Sequence, residues 1–295
     1  RRQRQMCIRD RRYMGIIILL NLEENKNHLS RNFTGEVFLM KKMITLLSTF
    51  ILCSSLSLAQ SELQVKALVQ NKNKFQIGGA VGVTNHFFKG DSLTYPIPVF
   101  DVRYDDFYIA GVTMGYDMYS EDDFTLSLFV NPFDGFPIKG SKLDRGYRSI
   151  DDRKPQVALG MLLSYNLNFY DMTAVVAFSG GERGVKGSAH IIKPYRVTDN
   201  FTLIPSFGAT IYSSNYVDYY FGIDSNEVKD KITDTYSPDT AYSLGLSLAA
   251  EYYLNDKITL LAFLSADRFS SDIGDSPIID SNKLIMVGAG VKYSF

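Results

Sequence analysis

The sequence predicts an all-β fold, a transmembrane antiparallel up-and-down β-barrel, and three observations predict it. From Lys74 onward, apolar residues recur at every second position through most of the chain, the period of a strand with one greasy face. No uninterrupted apolar run reaches the ~18 residues that a spanning helix needs. The connections between the alternating runs are short and long by turns, as in outer-membrane barrels with tight periplasmic turns and extended outer loops. A hydrophobic content of 45% and a mean hydropathy of −0.06 look soluble. They also suit a barrel, where only every second strand residue meets lipid.

The last segment states the pattern most clearly. Ile285, Val287, Ala289, Val291, Tyr293 and Phe295 fall on one face; Met286, Gly288, Gly290, Lys292 and Ser294 fall on the other. The first face is apolar and ends in aromatics, as lipid requires. The second is small or polar with one charge, as a wet or tightly filled lumen requires. Val291, Tyr293 and Phe295 form the C-terminal signal that barrel-assembly machinery is expected to read. A soluble-sandwich edge strand is the alternative for this segment taken alone.

Four stretches follow in order. Residues 1–39, Arg-rich and carrying Cys7, read as an upstream extension with no fold of its own. Residues 40–59 read as a signal peptide. Met40-Lys41-Lys42 is the charged start, Met43 to Leu52 the apolar core and Ser57-Leu58-Ala59 the small-residue site, with cleavage between Ala59 and Gln60. Leu52 before Cys53 argues against lipoprotein acylation. Residues 60–73 are a polar periplasmic lead-in, and 74–295 are the barrel. Positions 1–59 hold 10 Lys+Arg and 4 Asp+Glu, so their removal leaves 21 and 28 and moves the formal net charge from −1 to −7. Both cysteines go with them. An acidic, cysteine-free chain gives no support for nucleic-acid binding, a thiol nucleophile or a disulfide framework.

Within the barrel, Phe75, Ile77, Gly79, Val81 and Val83 alternate with Gln76, Gly78, Ala80, Gly82 and Thr84. Runs follow at 95–104, 107–119, 124–130, 157–166, 171–178, 185–195 and 201–211. In the cleanest run, Tyr242, Leu244, Leu246, Leu248, Ala250, Tyr252 and Leu254 oppose Ser243, Gly245, Ser247, Ala249 and Glu251. Its two end tyrosines are ten residues apart, about 23 Å of membrane normal at ~3.3 Å rise and a tilt near 45°, close to the ~25 Å apolar belt of such barrels. Asn255-Asp256 then turns the chain into 258–266. The long connections are 131–154, 213–239 and 268–282. Counted back from a periplasmic C-terminus, the alternation requires an even number of crossings before Tyr119. Splitting 107–119 near Thr113 gives twelve strands, with ten as the alternative.

Catalytic chemistry is thin. His190 lies mid-strand with Lys186 and Ser188 on the lumen parity, where an interior hydrogen-bonded histidine is expected. His86 has Asp91 and Ser92 nearby, but a Ser/His/Asp site needs a geometry that spacing does not supply. Asp218, Asp224, Asp230, Asp234 and Asp239, then Asp267, Asp272, Asp275 and Asp280, are dense enough for cations bridging lipopolysaccharide phosphates. Their spacing matches no ligand loop, so a solvated acidic surface is favoured. No Walker loop, dinucleotide fingerprint or zinc spacing is present. Catalytic, cofactor and metal residues are therefore expected to be none.

Asp218-Tyr219-Tyr220-Phe221-Gly222-Ile223-Asp224, with Glu227 just after, resembles the D-x-Y-Y-x-G-V-s-x-x-E stretch of the MipA/OmpV family of outer-membrane proteins. Tyr236-Ser237-Pro238-Asp239-Thr240-Ala241 is similar to the segment that follows it there. Asp275-Ser276-Pro277-Ile278 is similar to the family's D-S-P-I/V, Tyr293-Ser294-Phe295 to its Y-x-F ending, and Lys139-Gly140 to its L-x-G element, with Ile138 departing from it. Ile223 for the usual Val and the lack of Trp near the 254–258 turn are the other departures. The resemblance implies a non-enzymatic barrel in the Gram-negative outer membrane, among lipid and lipopolysaccharide. One family member is a scaffold joining a murein lytic transglycosylase to a penicillin-binding synthase; others are porin-like or adhesin-like. Three functions compete. A scaffold would have a lumen packed by Phe129, Leu261 and Phe263. A passive channel is suggested by the Gly/Ser/Thr-rich inner faces. A lipid-acting enzyme would depend on His86 or His190.

Overall fold

The computed structural model describes residues 73–168 and 170–295; the upstream extension, the signal peptide with its Ala59–Gln60 site and the lead-in to residue 72 lie outside the described residues. The strands are β1 (Lys74–Thr84), β2 (Thr94–Tyr104), β3 (Phe107–Ala110), β4 (Thr113–Glu121), β5 (Phe124–Asp134), β6 (Gln156–Leu167) and β7 (Met172–Gly181). They continue with β8 (Gly184–Ile192), β9 (Tyr195–Thr198), β10 (Phe201–Tyr212), β11 (Ala241–Tyr253), β12 (Ile258–Phe269) and β13 (Lys283–Ser294). β8 and β9 both pair with β10 and form one stave, interrupted at Lys193-Pro194 where proline has no N–H to give the ladder. Every pairing is antiparallel, and β1 pairs with β13 from Gln76↔Ser294 to Thr84↔Met286, so twelve staves close on themselves.

The alternation in the sequence becomes the two faces of the wall. Leu246, Leu159 and Phe178 are 60% or more exposed on the outside, whereas Ala158 beside Leu159, Ser179 beside Phe178 and Ser243 on the opposite parity of Leu246's strand are at most 4% exposed. Segment 107–119 is split as the crossing count requires, at Gly111 in the left-handed region (φ 59°). One rim carries the turns at 105–106, 122–123, 168–171, 199–200 and 254–257 together with the C-terminus; the other carries the long connections.

Small inner residues do not leave an open bore. A methyl group on Gly288 would overlap the ring of Phe263, one on Gly160 the ring of Phe129, and one on Gly208 the imidazole of His190. Each of these three rings lies over a glycine on the neighbouring strand. Leu261 is buried with Ile97, Val99 and Met286, and Phe263 packs against that cluster; Phe129 packs against Tyr108, Leu162 and Val175.

Candidate functional site

The two ends of the barrel carry the chain's distinctive side chains. At the inner end, Lys292 is 1% exposed. Its Nζ donates to Glu251 Oε1 at 2.9 Å, two strands away on β11, and to Asp101 Oδ2 at 3.1 Å, two strands away on β2. Lys74 adds a second cation to Asp101 at 2.6 Å, and Tyr253 Oη donates to Glu251 Oε2 at 2.9 Å. Beside this group, Arg103 meets Asp117 at 2.6 Å and Ser127 Oγ donates to the other Asp117 oxygen at 2.7 Å. Charges buried this far from water persist only when paired and hydrogen-bonded. Lys292 is the single inward charge of the terminal strand, and it fastens the barrel across its β1–β13 seam.

At the outer end, the long connections fold into a lid. Residues 213–239 contain α1 (Ser214–Phe221), which alternation cannot reveal because its period is helical. Its buried face, Tyr216, Val217, Tyr220 and Phe221, meets Phe87 of the first connection, Phe136 and Ile138 of the third, and Ile273 and Ile278 of the last. Ile273 belongs to the one-turn helix α2 (Ser271–Gly274). Phe136 sits at the centre, its ring 5.1 Å from Phe221, 5.7 Å from Phe269, 5.9 Å from Tyr212 and 6.1 Å from Tyr220. Gly135 lets the chain enter this cluster: its φ is +124°, and a methyl there would strike the Tyr220 hydroxyl.

The fingerprint residues lie within this lid. Tyr220 Oη is 3.2 Å from the Asp134 carbonyl and 3.1 Å from that of Lys154, tying α1 to both ends of the third connection. Burial, then the nearby Asp134 carboxylate, raises the Tyr216 and Tyr220 phenol pKa values, so both stay neutral. Tyr219 Oη accepts from the Lys154 N–H at 3.0 Å, and the Arg183 guanidinium lies 3.9 Å from its ring centre. Gly222 caps α1 through its N–H to the Asp218 carbonyl, and Asp218 Oδ1 accepts from Ser237. Ser276 Oγ donates to the Phe221 carbonyl at 2.6 Å, while Asp275 and Pro277 flank it on the last connection.

Glu227, the last residue of the fingerprint, and Arg153, which no residue pattern signals, hold these pieces together. Arg153 Nη2 donates to Glu227 Oε2 at 2.8 Å and to the Gly222 carbonyl at 2.9 Å. Glu227 also accepts backbone N–H bonds from Asp151 at 2.7 Å and Asp224 at 3.0 Å. Burial opposes ionisation of Glu227, but the Arg153 bond and the two amides outweigh it and hold its pKa below the usual carboxylate value. Glu227 in the fingerprint was the available signal; its partner, 74 residues away, had none.

Of the two histidines, His86 is exposed on the first outer connection. His190 faces a polar cavity of ≈ 70 Å³ beneath Phe136, with Lys186, Ser206, Ser247 and Asp267 on its walls. That volume has room for a few water molecules. Lys186 is ion-paired to Asp134, which also accepts from Gln156 Nε2 at 3.0 Å. No group of His, Cys, Asp and Glu that would hold a metal occurs among the described residues. Val291, Tyr293 and Phe295 face outward at the inner rim, and the Phe295 ring lies 5.1 Å from Phe75 and 5.0 Å from Tyr293.

The family model described as MltA-interacting protein MipA matches residues 77–295, the whole barrel except its first three residues. The chain belongs to the MipA family. Within it, the 24 kDa outer membrane protein of Pasteurella multocida is 33% identical over 236 residues, covering 77% of this chain and 92% of the relative. The MltA-interacting protein of Escherichia coli K12 is 26% identical over 228 residues, covering 76% and 91%. Among solved structures, the translocator domain of the autotransporter NalP from Neisseria meningitidis aligns with 80% of this chain and 94% of its own, at 10% identity and a TM-score of 0.44. The protein is thus an outer-membrane barrel of the MipA/OmpV type, and its greasy outer face meets outer-membrane lipid.

Proposed function

We propose that this barrel is a non-catalytic docking platform for cell-wall enzymes, a murein lytic transglycosylase and a penicillin-binding synthase, rather than a solute channel. The observation that carries the reading is that both ends are stopped. Apolar side chains from four outer connections, aromatic from three of them and isoleucine from the last, fill the upper mouth, and buried ion pairs cross the lower one. A barrel that passes no solute is left with its surfaces as its means of acting. The family relative named MltA-interacting protein supplies the partner class. The barrel-assembly machinery would insert the chain by reading Val291, Tyr293 and Phe295.

The test has two arms. Barrel reconstituted in nanodiscs should retain a purified lytic transglycosylase and a penicillin-binding synthase through a salt wash. In planar bilayers the same preparation should give no conductance steps. Retention of neither enzyme at any salt concentration, or regular conductance steps from the wild-type barrel, overturns the reading.

A further inference from the structure

The wall of this barrel is incomplete in its outer half. β3 has four residues where β1 and β2 have eleven each. The β3–β4 hairpin therefore turns at Gly111, whose N–H reaches the Phe100 carbonyl at 2.7 Å, well below the outer end of β2. Above Phe100, β2 pairs with β1 alone among the described strands, and above Val130, β5 pairs with β6 alone. The six positions of β2 above Phe100 cover about 14 Å of membrane normal at ~3.3 Å rise and a tilt near 45°. Over the top, the connection after β5 meets the connection before β2 through the Gly90↔Leu143 bridge and the Asp144 N–H to the Lys89 carbonyl. The result is a window between β2 and β5, bounded below by a hairpin and above by a lintel.

Its uprights are poor in donors. Backbone groups of a strand point alternately to either side. Because the Phe100 carbonyl points toward β3, the even-numbered positions of β2 direct their backbone into the window. Pro96 and Pro98 are two of these, so the missing N–H groups are the ones that would have faced the opening. On β5, Pro132 has no N–H, and the Phe133 N–H is taken by its neighbour Asn131 Oδ1 at 3.0 Å. Such edges do not accept another β-strand. They offer proline rings and carbonyl oxygens, and the oxygens need donors at a depth without water. The lintel adds charge. Lys139, Lys142 and Arg145 are exposed there against Asp91 and Asp144; elsewhere on the outer rim, acidic residues outnumber exposed cations such as Lys154, Lys229 and Lys231.

We propose that the window is a binding site for a phosphorylated, hydroxyacyl-bearing glycolipid of the outer leaflet, the chemistry of the lipid anchor of lipopolysaccharide. The acyl chain lies across the prolines, its hydroxyl or amide groups donate to the Pro96 and Pro98 carbonyls, and its phosphate meets Lys139 and Lys142. This site is independent of the docking role proposed above, since it involves neither murein nor its enzymes.

Native mass spectrometry of the purified barrel tests it with three probes: lipid A bisphosphate, the same lipid dephosphorylated, and phosphatidylglycerol. The expected result is retention of the bisphosphate roughly tenfold above the other two, falling to their level in Lys139→Ala/Lys142→Ala. Location is read separately. The chain has no tryptophan, so Phe100→Trp at the lower corner of the window should shift its emission when lipid A is added. Phe207→Trp on another part of the wall should not. Equal retention of all three probes, an unchanged preference in the lysine variant, or the same emission shift at both positions overturns the proposal. Heat-modifiable migration of every variant verifies that each is folded.

Discussion

The two stoppers of this barrel are built from opposite materials. The inner one is ionic and rests on regular strands: Lys74, Asp101, Glu251 and Lys292 meet because ladder registry places them level around the lumen. The outer one is apolar and rests on irregular chain, with Phe87, Phe136, Phe221 and Ile278 delivered by connections distant in sequence. The difference follows from where each sits. Inside the membrane belt, nearly all of the backbone stays in the ladder, with the β2–β5 window as the exception, so only side chains are free to cross the bore. Beyond the belt, backbone is free to leave the ladder and fold into a small hydrophobic core of its own. The inner stopper should therefore fail with the whole barrel, and the outer one should open alone.

Lys292→Met is the most severe break. It strands the Glu251 carboxylate in the lumen, at a cost of about 3–5 kcal/mol. Urea titration of the vesicle-inserted protein, read by heat-modifiable migration, should show the barrel as a whole unfolding earlier. Loss confined to the lid would mean that the ionic stopper is not coupled to the strands. Phe136→Ala removes the centre of the aromatic cluster, with a cost of the same order, ~3–5 kcal/mol, as for other buried rings. Here the barrel should keep its heat-modifiable band while protease gains access to connections 135–155 and 213–240.

Acid sharpens the comparison further. The folded-state pKa of Glu227 lies below its unfolded value, so its ion pair with Arg153 contributes fully above the ordinary Glu pKa of ~4.3 and is lost as pH falls through the depressed value. Protease protection of the lid should hold from neutral pH down to about 5 and decline below that. Glu227→Gln should lower protection at neutral pH and flatten the decline; an unchanged pH profile in that variant would remove Glu227 from the account. Ser276→Ala is the mildest change. It takes one hydrogen bond from the buried Phe221 carbonyl, about 1 kcal/mol, and should be visible only as faster amide exchange in α1.

Much of the wall was legible in the residue pattern. Leu244, Leu246 and Leu248 face lipid because alternation and pleat have the same period, and the split near Thr113 followed from the parity of the crossings. The lid was legible only as a set of landmarks. Tyr220, Gly222 and Ser276 stood out through resemblance, but their shared interior depends on contacts spanning 55 to 86 residues. The residue pattern gives 213–239 as connection and hides α1, because the apolar face of a helix has no strand period.

The sequence by itself determined a membrane barrel of twelve or ten strands, the alternation of its short and long loops and which residues face out; closure of the sheet decided for twelve. Those properties are local and periodic, and each strand carries its own copy of the signal. Only the tertiary structure decided that the glycines of the inner faces are roofed by Phe129, Phe263 and His190, and that the mouth is shut. It also decided that alternating prolines in β2 mark the edge of a window. A glycine or a proline records what backbone or side chain it admits, but not which neighbour arrives; ring closure and strand registry supply that neighbour.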